Sequence, residues 1–193
     1  DENKSVIPTN PLEIVEMINK KEYFGNCQDI ILKLGKSIPI LGICLGMQGI
    51  VHSFGGNIIH AKEPMHGKIS FLLHDEKGIY EKIPQNIEIM RYHSLVVDIE
   101  TLPDCFDING ISQENDNKNN ILEIKQITPK CEIMAISHKI YPIFGIQYHP
   151  ESFGSEGGIE ILQNFLFNDN AVSYTHLRAH ETQYHLVWGV VVE

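Results

Sequence analysis

Basic residues are scarce in this chain: 15 Lys and Arg stand against 25 Asp and Glu, a formal net charge of -10. That balance repels phosphate backbones and anionic lipid more than it attracts them, so neither nucleic acid nor a membrane surface is an expected partner. Cysteine is scarce as well. Cys27, Cys44, Cys105 and Cys131 are widely spaced with no CxxC pair, so no disulfide framework, zinc site or other metal is expected. No cofactor is implied, and a reducing, cytoplasmic setting fits best. No apolar run reaches membrane-spanning length, and the opening Asp1-Glu2-Asn3-Lys4 lacks the basic-then-apolar pattern of a signal peptide. Tryptophan occurs once, at Trp188, and the first glycine is Gly25.

What is present is ordinary globular material. With 193 residues, 42% hydrophobic and 21% charged, the chain can bury one real core. Asn10, Pro11 and Glu13 sit where an N-cap, a first helical residue and a capping-box partner belong, which predicts a helix from about Pro11 to Lys20. A second helix is predicted over Cys27 to Leu34, where Ile30, Ile31 and Leu34 share a face and Gly35 offers a left-handed C-terminal residue. Ile38 to Ile43 is a nearly continuous apolar run, as a strand buried on both faces requires. After Cys44 the spacing turns helical up to a Gly55-Gly56 stop.

Beyond that the chain favours strands: 57–60, 68–73, 87–92, 95–99, 106–112, 121–127, 133–137 and 143–148 are short β-prone runs between turn residues. Residues 114–120, all polar, are expected to form a solvated loop. An amphipathic helix over Gly158 to Phe167 closes the series. Residues 171–193 depart from everything before them, gathering three of the ten histidines and the single tryptophan, and are expected to be a non-native tail.

Two short stretches carry chemistry. Gly42-Ile43-Cys44-Leu45-Gly46 has the form G-x-C-x-G, with a nucleophile in a tight strand-to-helix turn and glycines where side chains would meet neighbouring backbone. The sulfur then sits at a helix N-terminus, where the dipole and free N–H groups stabilise a thiolate. Taken alone the cysteine could equally be a buried packing residue. The run Phe144-Gly145-Ile146-Gln147-Tyr148-His149-Pro150-Glu151-Ser152 delivers His149 and Glu151 just past a strand end. An imidazole there can take the thiol proton, and a carboxylate two residues on can orient it.

Gly42 to Gln48, Met65-His66-Gly67-Lys68, Arg91-Tyr92-His93-Ser94-Leu95 and Gly145 to Ser152 resemble, in order, the successive motifs of class I, triad-type glutamine amidotransferases. The two middle motifs resemble those of the glutaminase subunits of anthranilate synthase and aminodeoxychorismate synthase. The resemblance implies an α/β fold with an open, mostly parallel sheet flanked by helices and a smaller antiparallel portion. It implies Cys44 as nucleophile, His149 as base and then acid, and Glu151 as the group orienting His149. Gln48, Ser94 and Leu95 would hold L-glutamine, and the Leu45 backbone N–H would be one oxyanion donor. The partner implied is a chorismate-binding synthase, fed with ammonia to make anthranilate or 4-amino-4-deoxychorismate.

Singly, these residues also have plainer readings: Gln48 filling a buried polar gap, Ser94 a turn residue, His93 a packed core histidine. The amidotransferase domain is expected over 23–170. Residues 1–22 are expected to be a remnant or altered N-terminal segment of a truncated domain, because the strand, helix and Gly-Pro-Gly turn that open such domains have no counterpart; Ile7-Pro8-Thr9-Asn10-Pro11 contains no glycine. The rival functions are the glutaminase part of another class I amidotransferase and a non-catalytic interaction subunit.

Overall fold

The computed structural model describes residues 24–113 and 131–167. The helix expected over Pro11 to Lys20, the loop 114–120, the strand 121–127 and the tail 171–193 lie outside the described residues.

The first described element, α1 (Asn26–Leu34), carries Asp29 in its first turn and Lys33 in its last, opposing the helix dipole and pairing at 3.0 Å. Gly35 follows it, yet not in the expected left-handed conformation: φ is -61°. Its reason is space. A Cβ there would lie 2.5 Å from the Ile31 carbonyl oxygen and 2.7 Å from Ile143 Cδ1, so glycine lets the helix end lie against the sheet.

The strand β1 (Ile40–Ile43) leads through Cys44 into α2 (Leu45–Ser53), the strand–turn–helix that the sequence predicts. Then come β2 (Ile58–His60), β3 (Lys68–His74), a 3₁₀ turn (Gly78–Tyr80), β4 (Ile87–Arg91), β5 (Leu95–Val97), β6 (Phe106–Gln113), β7 (Ile133–His138), β8 (Ile143–Ile146) and α3 (Gly158–Phe167). Strands β2 and β5 form a small antiparallel ribbon, with Ile58 opposite Val97. The other six form one sheet in the order β1-β8-β7-β6-β3-β4.

Among the described strands only β1 and β8 run parallel; β8–β7, β7–β6, β6–β3 and β3–β4 are antiparallel. The described sheet is therefore mixed, not mostly parallel as expected. For β7 and β8 connection length is the cause. Residues 139–142 alone join β7 to β8, and so short a link can only reverse the chain, whereas a parallel neighbour needs a long crossover such as the one that leaves β1 through α2.

Alternate strand residues feed two cores, one on each face. Ile40, Ile133 and Ile143 join Ile31 of α1 and Met47, Ile50 and Val51 of α2 on one side. Leu41, Ile43, Met134, Phe144 and Ile146 join Ile161 and Phe165 of α3 on the other. Helices on both faces of a twisted sheet make this an α/β fold.

Candidate active site

Parallel pairing of β1 with β8 sets the site. The register aligns Ile43 with Ile146, and Cys44 N–H donates to Ile146 O at 2.7 Å. Both strands end at the same level, so the residues just past each end, Cys44 on one and Gln147 to His149 on the other, are brought together.

Cys44 has φ 52° and ψ -105°, a conformation rare for any residue with a Cβ, and it precedes the first helical residue, Leu45. Such backbone costs about 1–3 kcal/mol and persists only where the surroundings enforce it. Here the turn is forced tight: a Cβ on Gly42 would sit 2.5 Å from the Gly46 carbonyl carbon, so β1 and the first turn of α2 touch through backbone. The Leu45 N–H belongs to the first turn of α2, whose donors have no partner within the helix.

His149 is pinned by its own backbone. Its N–H donates to Met90 O at 3.1 Å and its carbonyl accepts from Ser155 Oγ at 2.6 Å, while Ser155 Oγ also accepts from Met90 N–H at 3.0 Å. Since β4 and β8 are separated by β7, β6 and β3, this contact requires the sheet to curl. The imidazole Nδ1 lies 2.6 Å from Glu151 Oε1, which leaves Nε2 for the hydrogen bond with Cys44. Tyr92 meets the ring edge-on at a centroid distance of 5.6 Å. The hydrogen bond with Cys44 first, and then the one with Glu151, hold the imidazole proton more tightly than usual, raising the His149 pKa to about 9 against the opposing effect of burial.

Gln48, one helical turn from Cys44, is buried with its Nε2 donating to Leu95 O at 3.0 Å and to Gln147 Oε1 at 3.1 Å. Leu95 thus reaches the site through its carbonyl, its side chain packing in the core beside Ile58 and Val97. Ser94 leaves its side chain exposed and its carbonyl accepting from Ala61 N–H at 2.9 Å. His93 is buried, bonded at Nε2 by Arg91 Nε at 3.1 Å and at Nδ1 to Leu95 O at 3.1 Å. Burial, and then the Arg91 charge, lower its pKa to about 4. Arg91 pairs with Glu132, and its Nη1 donates to Ser70 Oγ at 3.1 Å. Among the described residues, no group of three His, Cys, Asp or Glu side chains is placed to hold a metal ion.

A cysteine at a strained helix entrance, bonded to an imidazole that a carboxylate holds, can form a thiolate and shuttle one proton. The family described as "Glutamine amidotransferase class-I" matches residues 18–169. The chain belongs to the class I glutamine amidotransferases. It is 46% identical over 144 residues to "Anthranilate synthase component 2" of Leptospira biflexa, covering 75% of this chain and 66% of the relative. It is 38% identical over 142 residues to "Aminodeoxychorismate synthase component 2" of Escherichia coli K12, covering 74% and 67%. This amidotransferase chain therefore spans about two thirds of the length of such relatives. A crystal structure of a GMP-synthase-subunit-A-type protein from Thermoplasma acidophilum superposes with a TM-score of 0.61 at 26% identity, over 77% of this chain and 65% of that one.

Gln147 and Arg91 lie inside stretches that carry the family resemblance, yet sequence reasoning gave neither a role. The signal was there. An amide inside the otherwise apolar run Ile143 to Tyr148, and a guanidinium directly after Ile89 and Met90 at the end of a β-prone run, each needs a buried partner.

Proposed function

We propose that this chain is a glutaminase subunit, hydrolysing L-glutamine to glutamate and ammonia for a chorismate-binding synthase that makes anthranilate or 4-amino-4-deoxychorismate. The observation that carries the reading is the placement of His149 between Cys44 and the Glu151 carboxylate, with the sulfur at the α2 entrance.

In the proposed cycle the Cys44 thiolate attacks the side-chain amide carbon of glutamine. The C=O electron pair moves to oxygen, and the Leu45 N–H, at the positive end of α2, stabilises that oxyanion. His149, protonated at rest by virtue of its raised pKa, gives its Nε2 proton to the departing nitrogen. Ammonia leaves, and a γ-glutamyl thioester remains on Cys44. Neutral His149 next takes a proton from water, whose oxygen attacks the thioester carbon; glutamate leaves and the thiolate–imidazolium pair returns. Glu151 keeps Nδ1 protonated and the ring in plane for both transfers. Gln48, Ser94 and Leu95 form the glutamine side of the site, Gln48 keeping its amide oxygen for the substrate because its nitrogen already serves two acceptors.

Relatives named for chorismate-using synthases, at 38–46% identity, support that partner over the GMP-synthase type, represented by the 26% structural likeness. A cytoplasmic setting belongs to the proposal, since Cys44 must stay reduced to act as a nucleophile. The test combines the chain with a chorismate-binding synthase and measures glutamate and aminated product together. A diazoketone analogue of glutamine should label Cys44 ahead of Cys27, Cys105 and Cys131. Labelling spread evenly over the four, with no glutamate formed, favours the non-catalytic interaction subunit.

A further inference from the structure

The strand end that delivers His149 also delivers Gln147, whose side chain is fully buried and whose backbone N–H donates to Met134 O at 2.9 Å. A primary amide has two N–H donors and one carbonyl acceptor, and burying it unpaired is strongly unfavourable, so its partners define what it does. Which end of an amide is nitrogen must be derived from those partners.

Here the derivation starts at Arg91, which can only donate. Its Nε–H meets His93 Nε2 at 3.1 Å, so that nitrogen is the acceptor and Nδ1 carries the ring proton, given to Leu95 O at 3.1 Å. The lowered pKa of His93 agrees with a neutral ring. A carbonyl only accepts, so Gln48 must face Leu95 O with Nε2, at 3.0 Å. The same nitrogen is 3.1 Å from Gln147, which must therefore present Oε1. Gln147 Nε2 is thereby turned toward Cys44 Sγ, 3.7 Å away. The guanidinium and the Leu95 carbonyl thus fix every orientation in the series, and Glu132 and Ser70 hold the guanidinium itself.

We infer that Gln147 stabilises the Cys44 thiolate by donating a side-chain N–H to the sulfur, held in that orientation by Gln48 and, behind it, by Leu95, His93 and Arg91. The inference rests on Cys44 being the nucleophile of a glutaminase. A donor bonds charged sulfur more strongly than neutral sulfur, so the contact favours thiolate over thiol without itself exchanging a proton. The other charged or titratable groups about the sulfur are His149 with Glu151 beyond it, and Arg91 and His93 behind Gln48.

The test is alkylation of Cys44 by iodoacetamide, a probe that needs no glutamine site, followed against pH on the full chain. Gln147→Met keeps the side-chain length and removes the donor; the midpoint of the rate profile should rise by about one pH unit, roughly a tenfold loss of rate below it. Gln147→Glu keeps an acceptor for Gln48 but sets a carboxyl against the sulfur, and should move the midpoint further. Circular dichroism and thermal melting show whether each variant folds. The unmodified chain gives a readout that needs no variant: the side-chain amide NMR resonance of Gln147 should shift with the same midpoint as alkylation. A folded Gln147→Met chain with the original profile, or a Gln147 resonance indifferent to the titration, overturns the inference. Glutamate release by the unmodified chain with its synthase judges the glutaminase reading separately, since its absence would leave the alkylation result intact.

Discussion

In the proposed cycle Cys44 and His149 are coupled through one proton, so their substitutions should fail together while differing from that of Glu151. Cys44→Ser replaces sulfur with a far weaker acid at nearly constant volume, and glutamate release should fall to background with folding unchanged. His149→Ala should cost about 100- to 10,000-fold, the usual range for a general acid–base group. Glu151→Ala should retain more activity than His149→Ala, because in the proposed cycle the carboxylate orients the ring without exchanging the proton. Turnover of the three purified variants with the same partner checks the order, and an active Cys44→Ser chain would sink the assignment. His93 makes a different, pH-linked contribution. Its pKa is about 4 when folded and near 6.5 when unfolded, so between those values the unfolded chain binds the extra proton. Its stabilising contribution is therefore present above pH 6.5 and lost as pH falls toward 4. At 1.36 kcal/mol per pH unit the loss approaches about 3 kcal/mol over that window. Urea unfolding at pH 7 and pH 5 should show a smaller decline for His93→Asn than for the unmodified chain; equal declines would place the titration elsewhere.

The short elements near the site are set by backbone-to-backbone approach. Gly158 opens α3 with its Cα against the Pro150 carbonyl, so a Cβ there would collide with the turn holding His149 and Glu151. Gly158→Ala must therefore displace either the helix or that turn. Overpacking of this kind costs about 1–3 kcal/mol, and a shift near 1 Å at the reacting groups can cost about 100-fold in rate. Melting temperature and glutamate release should both drop, and an alanine chain indistinguishable from the original would mean the turn yields freely. The same physics decides what could be read beforehand. Strand β1, the turn at Cys44, α2, β8 and α3 were legible because apolar run length, helical spacing and glycine placement are local signals. The curl that sets Met90 against His149 was not, since it depends on pairing between strands distant in sequence. Nor was the role of Gly35, which is glycine because Ile31 and Ile143 leave no room for a Cβ and not for a left-handed turn. His93 shows the plain and functional readings meeting: it is a packed core histidine, and it also holds the carbonyl that orients Gln48.

At the scale of the whole molecule, sheet direction was misjudged for the described strands because parallel pairing needs a crossover, and among the described pairs only β1 with β8 is parallel, while β7 reverses into β8 through residues 139–142 alone. The candidate site, by contrast, needs one parallel pair, β1 with β8, to bring Cys44 and His149 together, and the curl of the sheet to pin His149 against Met90. That arrangement bears on the division of labour proposed with the synthase. The steps assigned to this chain end when ammonia leaves the tetrahedral intermediate, and no residue described here is given a part in amination. Free ammonia should therefore substitute for glutamine in the complex. With the Cys44→Ser chain bound, product formation from glutamine should vanish while formation from ammonium salts persists, more strongly at higher pH where more of the salt is free ammonia. The same complex must be assayed with each nitrogen source and compared with the synthase alone. If ammonium supports the unmodified complex but not the Cys44→Ser complex, the thiol acts beyond glutamine hydrolysis and the division is wrong. If ammonium supports both equally and glutamine only the unmodified one, the work of Cys44 ends where the proposed cycle places it, at the release of ammonia and glutamate.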